Sequence, residues 1–218
     1  MKSLYNKITE YFDIQRSIIA KAYADWRVNA TVEEKHSYNP TDRVLLTFDD
    51  FADKKTLKSL LKILKKEHVK AVFFIIGDWA NENPDLVAEI RNDGHWIGNH
   101  TKSHKNLLKI NEKEVKDQIL GGYTSNILRP PYGRYNKKTR KIAKELGYKI
   151  CYWDIDSEDW KGISKNKIKS RILRSLHPSA CILMHLNGPH TLDALPDIIK
   201  GIRNKDYELC HEGNELIL

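Results

Sequence analysis

Val44-Leu45-Leu46-Thr47-Phe48-Asp49-Asp50 is the stretch that decides the fold, since it opens a repeating pattern of strands and helices. Its short apolar run ends in two adjacent carboxylates and predicts a buried strand over Val44–Phe48. A helical pattern follows over Lys55–Glu67. Together they predict one βα unit, the building block of a parallel sheet.

The same alternation continues along the rest of the chain. Seven βα-like units in one domain indicate an α/β protein with a parallel sheet, either a barrel or a doubly wound sheet. Further strands are predicted at Ala71–Ile76, His95–Asn99, Ile127–Arg129, Tyr148–Trp153, Ala180–His185 and Tyr207–Cys210. Further helices are predicted at Pro84–Asn92, Glu112–Leu120, from an Asn136 cap to Leu146, Ser164–Ser175 and Leu192–Arg203.

Polar side chains stand where the predicted strands end, which favours the barrel. In a barrel these carboxyl ends meet at one rim, where barrel enzymes carry their chemistry, whereas a doubly wound sheet gathers its site at one switch point. We therefore predict a distorted (β/α)7 TIM-like barrel with an N-terminal helical arm. The side chains at or just after different strand ends are Asp49 and Asp50, His100, Arg129, Asp154 and His185.

The chain of 218 residues is long enough for one sizeable core. Apolar side chains near helical spacing assign residues 1–40 to an N-terminal helical extension, and residues 41–218 form the main domain. We expect the extension to pack on the outside of the core, with a dimerisation arm as the alternative. A composition of 40% hydrophobic and 30% charged residues is typical of a soluble globular protein.

The net charge of +8 allows a polyanionic partner, but the lysines are scattered over helix faces. Because no basic stripe is interleaved with aromatic residues, we predict no nucleic-acid partner.

The three cysteines are an odd number in separate apolar runs, which indicates buried thiols. The sequence as given shows no signal peptide or transmembrane segment. It predicts a cytoplasmic protein, or an extracellular or cell-wall protein whose export signal was removed.

His100 and His104 stand four residues apart and would project from one side of a helical turn, where both can grip one metal ion. Thr101 and Ser103 between them could donate supporting hydrogen bonds. One of the paired aspartates would be the third ligand, while its neighbour stays free as a base. Two histidines and one carboxylate leave open coordination positions, as in a hydrolytic metal site or an iron oxygenase.

Five short motifs resemble, in their residues and their order, the polysaccharide deacetylases with the NodB homology domain, carbohydrate esterase family four. The resemblance covers most of the chain from residue 43 to residue 209. It implies a metal-dependent hydrolase that removes N-acetyl groups from N-acetylglucosamine-containing glycans and releases acetate. Peptidoglycan, chitin oligomers and poly-N-acetylglucosamine are the implied substrates, and zinc, or else cobalt, nickel or manganese, is the implied ion. The motifs are Thr47-Phe48-Asp49-Asp50, Asn99-His100-Thr101-Lys102-Ser103-His104, Arg129-Pro130-Pro131-Tyr132-Gly133, Asp156-Ser157-Glu158-Asp159-Trp160 and Leu183-Met184-His185.

The resemblance also assigns roles to single residues. Asp50, His100 and His104 become the metal ligands, Asp49 becomes the catalytic base, and Arg129 orients Asp49.

The other implied roles concern the substrate. Tyr132 offers its backbone N–H to the oxyanion, and His185, paired with Asp159, protonates the leaving amine. Trp160 and Leu183 line the pocket for the acetyl methyl and the sugar face.

Two positions depart from the family pattern and leave the substrate open. Phe51 stands where the family usually has Gly, and Leu186 where it usually has Asp. A catalytically silent glycan-binding module, with Phe51 filling the cleft, is one alternative; a hydrolase of a small cyclic or linear amide is another. His190 could also reach the rim, and we interpret the remaining histidines as surface or packing residues.

Overall fold

The computed structural model describes residues 43–210, and in this range strands and helices alternate as the sequence predicts. The predicted N-terminal helical extension lies outside the described residues. The eight strands of the range are β1 Arg43–Asp50, β2 Val72–Ile75, β3 Trp96–Asn99, β4 Ile127–Leu128, β5 Lys149–Ile150, β6 Ile155–Asp156, β7 Cys181–His185 and β8 Glu208–Leu209. Its seven α-helices are α1 Lys54–Lys66, α2 Gly77–Glu82, α3 Pro84–Asn92, α4 Glu112–Leu120, α5 Lys137–Glu145, α6 Lys165–Ser175 and α7 Thr191–Arg203.

All the strands pair in parallel, and β1 lies in the middle of the sheet. The order along the sheet is β5-β4-β3-β2-β1-β7-β6, and β8 pairs with the first residues of β1. Neighbouring strands therefore follow one another around a ring, and the ring is open at one place, between β5 and β6. In a doubly wound sheet the order of the strands would instead reverse at a switch point. The predicted distorted (β/α)7 barrel is therefore confirmed.

Side chains inside the sheet show how strongly it curls. Arg129, which follows β4, contacts Asp49 on β1 and Cys181 on β7. In a flat sheet these strands would lie about 14 and 19 Å from β4, at the usual spacing of about 4.8 Å between neighbours. The sheet therefore curls until opposite strands face each other across a narrow interior.

Alternate residues of β1 face two different cores. Leu46 and Phe48 belong to the large core between the sheet and the helices, whereas Leu45 belongs to a small core inside the barrel. Full burial of a side chain such as Phe48 contributes about 1.5–3 kcal/mol to stability. Asp49 lies four residues after Leu45, so both side chains are on the same face of β1. The carboxylate of Asp49 therefore points into the barrel at its rim.

Local sequence rules account for the helix starts. α1 begins after Asp53, whose carboxylate accepts hydrogen bonds from the backbone N–H groups of Lys55 and Thr56. α4 begins with a capping box between Asn111 and Glu114. Over residues 43–210, no helix combines the length and the apolar character that a membrane crossing requires.

The predicted strand Tyr148–Trp153 is wrong as a single element. The chain forms β5, leaves the sheet at the stacked rings of Tyr152 and Trp153, and returns as β6. This excursion crosses the opening of the barrel, because β5 pairs with β4 and β6 pairs with β7. Asp154 therefore does not reach the rim: its carboxylate accepts a hydrogen bond of 2.7 Å from the N–H of Cys181, at the other end of β7 from His185.

Candidate metal and catalytic site

Asp50, His100 and His104 come together at the rim, as the sequence predicts. One possible ligand atom from each lies within 4.8 Å of the other two. Asp50 Oδ1 is 3.5 Å from His100 Nε2 and 3.3 Å from His104 Nε2. This oxygen is buried and has no hydrogen-bond partner among residues 43–210. An unpartnered anionic oxygen facing two ring nitrogens fits a divalent cation well.

The hydrogen bond of His100 and the pKa shifts of Asp50 and His104 also suit a cation. His100 Nδ1–H donates to the carbonyl oxygen of Arg129 at 2.7 Å, which leaves Nε2 free as a ligand. Burial, and then the charge of His100, lower the pKa of His104 below its ordinary value. Burial alone would raise the pKa of Asp50, but the two imidazoles lower it. Asp50 is therefore favoured as an anion and His104 as a neutral imidazole, the forms that bind a metal ion.

The predicted helical turn between the two histidines is wrong. His100 follows β3 directly, and a turn with φ of 65° at Thr101 and 56° at His104 brings the second ring back. The ring centroids lie 4.9 Å apart. The predicted support from hydroxyl groups is also wrong, because Ser103 bonds to Gln118 and the Thr101 hydroxyl has no partner within the described chain.

Strained backbone is concentrated in these motifs. Positive φ at a non-glycine residue costs about 1–3 kcal/mol and persists only where the surroundings impose it. The barrel scaffold therefore imposes the directions of the site's loops. Of the eight such residues between 43 and 210, five lie in the motifs: Asp50, Thr101, His104, Tyr132 and Glu158.

Asp49 and Arg129 form a buried ion pair beside the metal group. Arg129 Nη1 donates to Asp49 Oδ1 at 2.7 Å and to the Thr47 hydroxyl at 2.6 Å. The guanidinium is fully buried and stacks on the ring of Phe74 at 4.0 Å. Burial alone would lower the pKa of Arg129, but the charge of Asp49 raises it, so the arginine stays charged. The second oxygen of Asp49 lies 3.8 Å from His100 Nε2 and borders the metal group.

His185 and Asp159 form a second polar pair. His185 Nδ1–H donates to Asp159 Oδ1 at 2.7 Å, so Nε2 is the ring nitrogen left to face a substrate. Burial alone would lower the pKa of His185, but the hydrogen bond and charge of Asp159, followed by Asp49 and Asp50, raise it to about 9. The imidazole is therefore protonated at neutral pH and can give up a proton.

Tyr132, Trp160 and Leu183, predicted for the substrate pocket, differ in exposure. Tyr132 lies in a 3-10 turn and its side chain is 61% exposed. The centroid of its ring lies 4.6 Å from that of His104. Trp160 is 54% exposed and follows Asp159 directly. Leu183 is buried on β7, two residues before His185 and on the same face of the strand. Tyr132 and Trp160 can therefore contact a glycan at the surface, while Leu183 can only line the bottom of the pocket.

The two departures from the family pattern have different outcomes. Leu186 is buried in the large core, so it replaces no group of the site. Phe51 is 45% exposed and follows Asp50 directly, so it is an additional surface aromatic at the rim. A cavity of about 610 Å³ lies elsewhere and includes Arg91, His95 and Tyr123 among its lining residues. None of its lining residues is one predicted for the site.

Thr191 is a site residue that the sequence reasoning missed. The sequence predicts α7 from Leu192, which would leave Thr191 as an ordinary helix cap. In the structure the helix begins at Thr191, and its hydroxyl donates to Asp159 Oδ2 at 2.5 Å. Its position two residues after the Gly188-Pro189 turn is the only signal in the sequence, and this signal indicates a helix start and nothing more.

The comparisons with known proteins agree with this geometry. The family model described as Polysaccharide deacetylase matches residues 36–151. A peptidoglycan-N-acetylglucosamine deacetylase of Bacillus cereus is 40% identical over 181 residues, which cover 77% of this chain and 66% of that protein. The chain thus spans just under two thirds of that relative, and 37% of the Listeria monocytogenes enzyme PgdA, to which it is 34% identical.

Solved structures share the fold. A family 4 carbohydrate esterase from Streptomyces lividans, in complex with acetate, has a TM-score of 0.71 and 32% identity over 78% of this chain and 91% of its own. A Bacillus anthracis pseudoenzyme of the same family, BA3943, has a TM-score of 0.76 and 28% identity over 83% of this chain and 67% of its own. From the family model, the identities and the arrangement of the five motifs, the chain belongs to the polysaccharide deacetylase family, carbohydrate esterase family four.

Proposed function

We propose that this protein removes N-acetyl groups from N-acetylglucosamine-containing glycans and releases acetate. The observation that carries the proposal is the arrangement of three groups at one rim. A carboxylate bound to a buried arginine, Asp49, borders the possible metal ligands, and His185, held protonated by Asp159, lies on the strand paired with β1. Amide hydrolysis needs both functions, a base for the water and an acid for the amine.

Asp50, His100 and His104 would hold one divalent cation, through Oδ1 of the carboxylate and Nε2 of each imidazole. Such an ion polarises the amide carbonyl and lowers the pKa of water at the site. Zinc suits two imidazoles and one carboxylate, with cobalt, nickel or manganese as alternatives.

Asp49 is the base of the proposed reaction. Its carboxylate removes a proton from the attacking water while Arg129 holds it in place, so that it does not turn to bind the cation beside Asp50. The backbone N–H of Tyr132 then donates to the oxygen that becomes negative when water adds to the carbonyl carbon.

His185 is the acid. Nε2 gives its proton to the amide nitrogen as the carbon–nitrogen bond breaks, so that acetate and a free amino sugar leave. The high pKa that Asp159 produces keeps this proton available at neutral pH.

The relatives favour peptidoglycan as the first substrate to test, since the Bacillus cereus relative is a peptidoglycan-N-acetylglucosamine deacetylase. Action on peptidoglycan would require the protein at the cell wall, and we propose that location. Exposed aromatic rings at Tyr132, Trp160 and Phe51 offer flat apolar surfaces for sugar rings. Chitin oligomers and poly-N-acetylglucosamine present the same N-acetyl group.

The test combines metal analysis with acetate release from peptidoglycan, chitin oligomers, poly-N-acetylglucosamine and small acetamides. We expect acetate from at least one glycan, loss of release on chelation, and recovery when zinc is returned. Asp49→Asn should lower acetate release by about two to four orders of magnitude, while Asp117→Asn, the same change on an exposed face of α4, should leave it unchanged.

Three results would overturn the proposal. Bound glycan and metal without acetate would make the protein a silent glycan-binding module, an outcome that its similarity to a pseudoenzyme makes worth testing. Acetate from small amides alone would make it a non-glycan amide hydrolase. Oxygen uptake after iron loading would indicate an oxygenase.

A further inference from the structure

The carboxylate of Asp159 is held at both oxygens in a fully buried place. Oδ1 accepts the Nδ1–H of His185 at 2.7 Å. Oδ2 accepts two other hydrogen bonds, from the backbone N–H of His185 at 2.8 Å and from the Thr191 hydroxyl at 2.5 Å. A rotation of the carboxylate about its Cβ–Cγ bond would break all three together. The bonds at Oδ2 therefore determine where Oδ1 meets the imidazole.

Thr191 does not use its hydroxyl to cap its own helix. It is the first residue of α7, its side chain is buried, and His190 before it makes no side-chain cap. The hydroxyl instead donates to a carboxylate 32 residues earlier in the chain. A side-chain bond that serves neither the helix nor solvent points to a role in orienting Asp159.

Gly188 provides the space that this bond needs. A Cβ atom at this position would lie 2.1 Å from the Thr191 hydroxyl oxygen and 2.6 Å from Asp159 Oδ2. Both distances are far below van der Waals contact, and the two oxygens are hydrogen-bonded to each other, so a methyl group at residue 188 would force them apart. Gly188 has no positive φ, so the requirement for glycine here is spatial and not conformational.

We propose that Thr191 is a positioning residue for the deacetylation reaction, and that Gly188 leaves the room in which its hydroxyl reaches Asp159. Thr191 acts through Asp159 and His185: it holds the carboxylate so that the imidazole presents Nε2–H to the leaving nitrogen. The inference rests on the proposed function for its catalytic consequence, but the hydrogen-bond chain can be tested separately.

The test compares three variants and a control in the metal-loaded full chain. Thr191→Val keeps the shape and removes the hydroxyl. It should lower kcat about 10- to 100-fold, the range known for losing a group that orients a metal-binding side chain. KM should stay within about twofold, because the buried Thr191 cannot touch the glycan. Thr191→Ser keeps the hydroxyl and should restore kcat to within about threefold. Gly188→Ala should repeat the loss.

Thr139→Val is the matched control for lost stability. Thr139 is buried near the start of α5, and its hydroxyl donates to Asn136, which is not one of the residues assigned to the site. Its replacement should lower Tm without lowering the kcat of folded protein. In the Asp159→Asn background, Thr191→Val should have almost no further effect on kcat, since its path of action is already broken.

Two outcomes would overturn the inference. One is a wild-type kcat in Thr191→Val; the other is that Thr191→Val lowers kcat by the same factor in the wild-type and the Asp159→Asn backgrounds. The resonance of the His185 Nδ1–H proton gives a readout independent of turnover. It should persist in wild type and Thr191→Ser and be lost to exchange with water in Thr191→Val. Absence of acetate release by the wild type would refute the proposed function, while this resonance would still decide the role of Thr191.

Discussion

Replacing Asp159 by Asn should move the alkaline limb of the pH–rate profile to lower pH. The imidazolium of His185 owes its stability mainly to the anionic partner, since burial alone would lower its pKa. An amide keeps the size of the carboxylate but removes its charge. The pKa of His185 should then return from about 9 toward its ordinary value of 6.5, or below it.

The size of the effect depends on pH in a defined way. At pH 8 an acid of pKa about 9 is about nine-tenths protonated, whereas one of pKa about 6.5 is about 3% protonated, so the rate should fall about 30-fold. At pH 5.5 both would be almost fully protonated, and this part of the difference should disappear. A bound cation lowers the pKa in both proteins, so the displacement between the two limbs is the quantity to compare.

The assay is acetate release as kcat/KM against pH, for wild type, Asp159→Asn and Asp193→Asn. Asp193 lies in the first turn of α7 and is exposed, so its variant controls for the loss of one carboxylate nearby. The acidic limb of the profile should hardly move, because the substitution leaves the metal group and the base unchanged. An alkaline limb that stays in place in Asp159→Asn would refute His185 as the acid, as would an unchanged limb in His185→Ala.

The remaining predictions concern the metal, the base and the core. Replacing Asp50, His100 or His104 by Ala should lower metal content and turnover together, and full occupancy with full turnover in His104→Ala would contradict the site. Asp49→Asn should keep the metal and lower turnover by about two to four orders of magnitude; metal loss there, with retention in Asp50→Asn, would exchange their roles. Leu60→Ala, in the core face of α1, should lower the free energy of unfolding by about 2–5 kcal/mol without changing kcat of folded protein, as denaturant titration would test.

The elements that the sequence predicts best are those whose signals are local. The bounds of α3 and α4 agree with the prediction at both ends, because Pro84 opens one helix and a capping box opens the other. α2, a helix of six residues with no side-chain cap, is too short to leave a periodic pattern.

The parts that could not be predicted depend on contacts between distant residues. The break after β5 follows from the opening of the barrel, which no local pattern of residues 148–153 reveals. The return of His104 toward His100 depends on positive φ at residues where the sequence offers no glycine. The hydrogen bond of Thr191 joins the start of α7 to Asp159, 32 residues earlier in the chain, whereas the rules for helix caps consider only neighbouring residues.

The ion pair of Asp49 and Arg129 ties the chemistry of this protein to its folding. Asp49 supplies the negative charge for a guanidinium that is fully buried, and the other oxygens near that guanidinium are neutral. Removing one partner of such a pair leaves an uncompensated charge and typically costs about 3–5 kcal/mol. A lineage that abandoned catalysis by losing this aspartate would therefore face selection to replace the arginine as well. The double variant Asp49→Asn with Arg129→Met should accordingly be more stable than Asp49→Asn alone. Inactive relatives that lack this aspartate should therefore also lack the arginine.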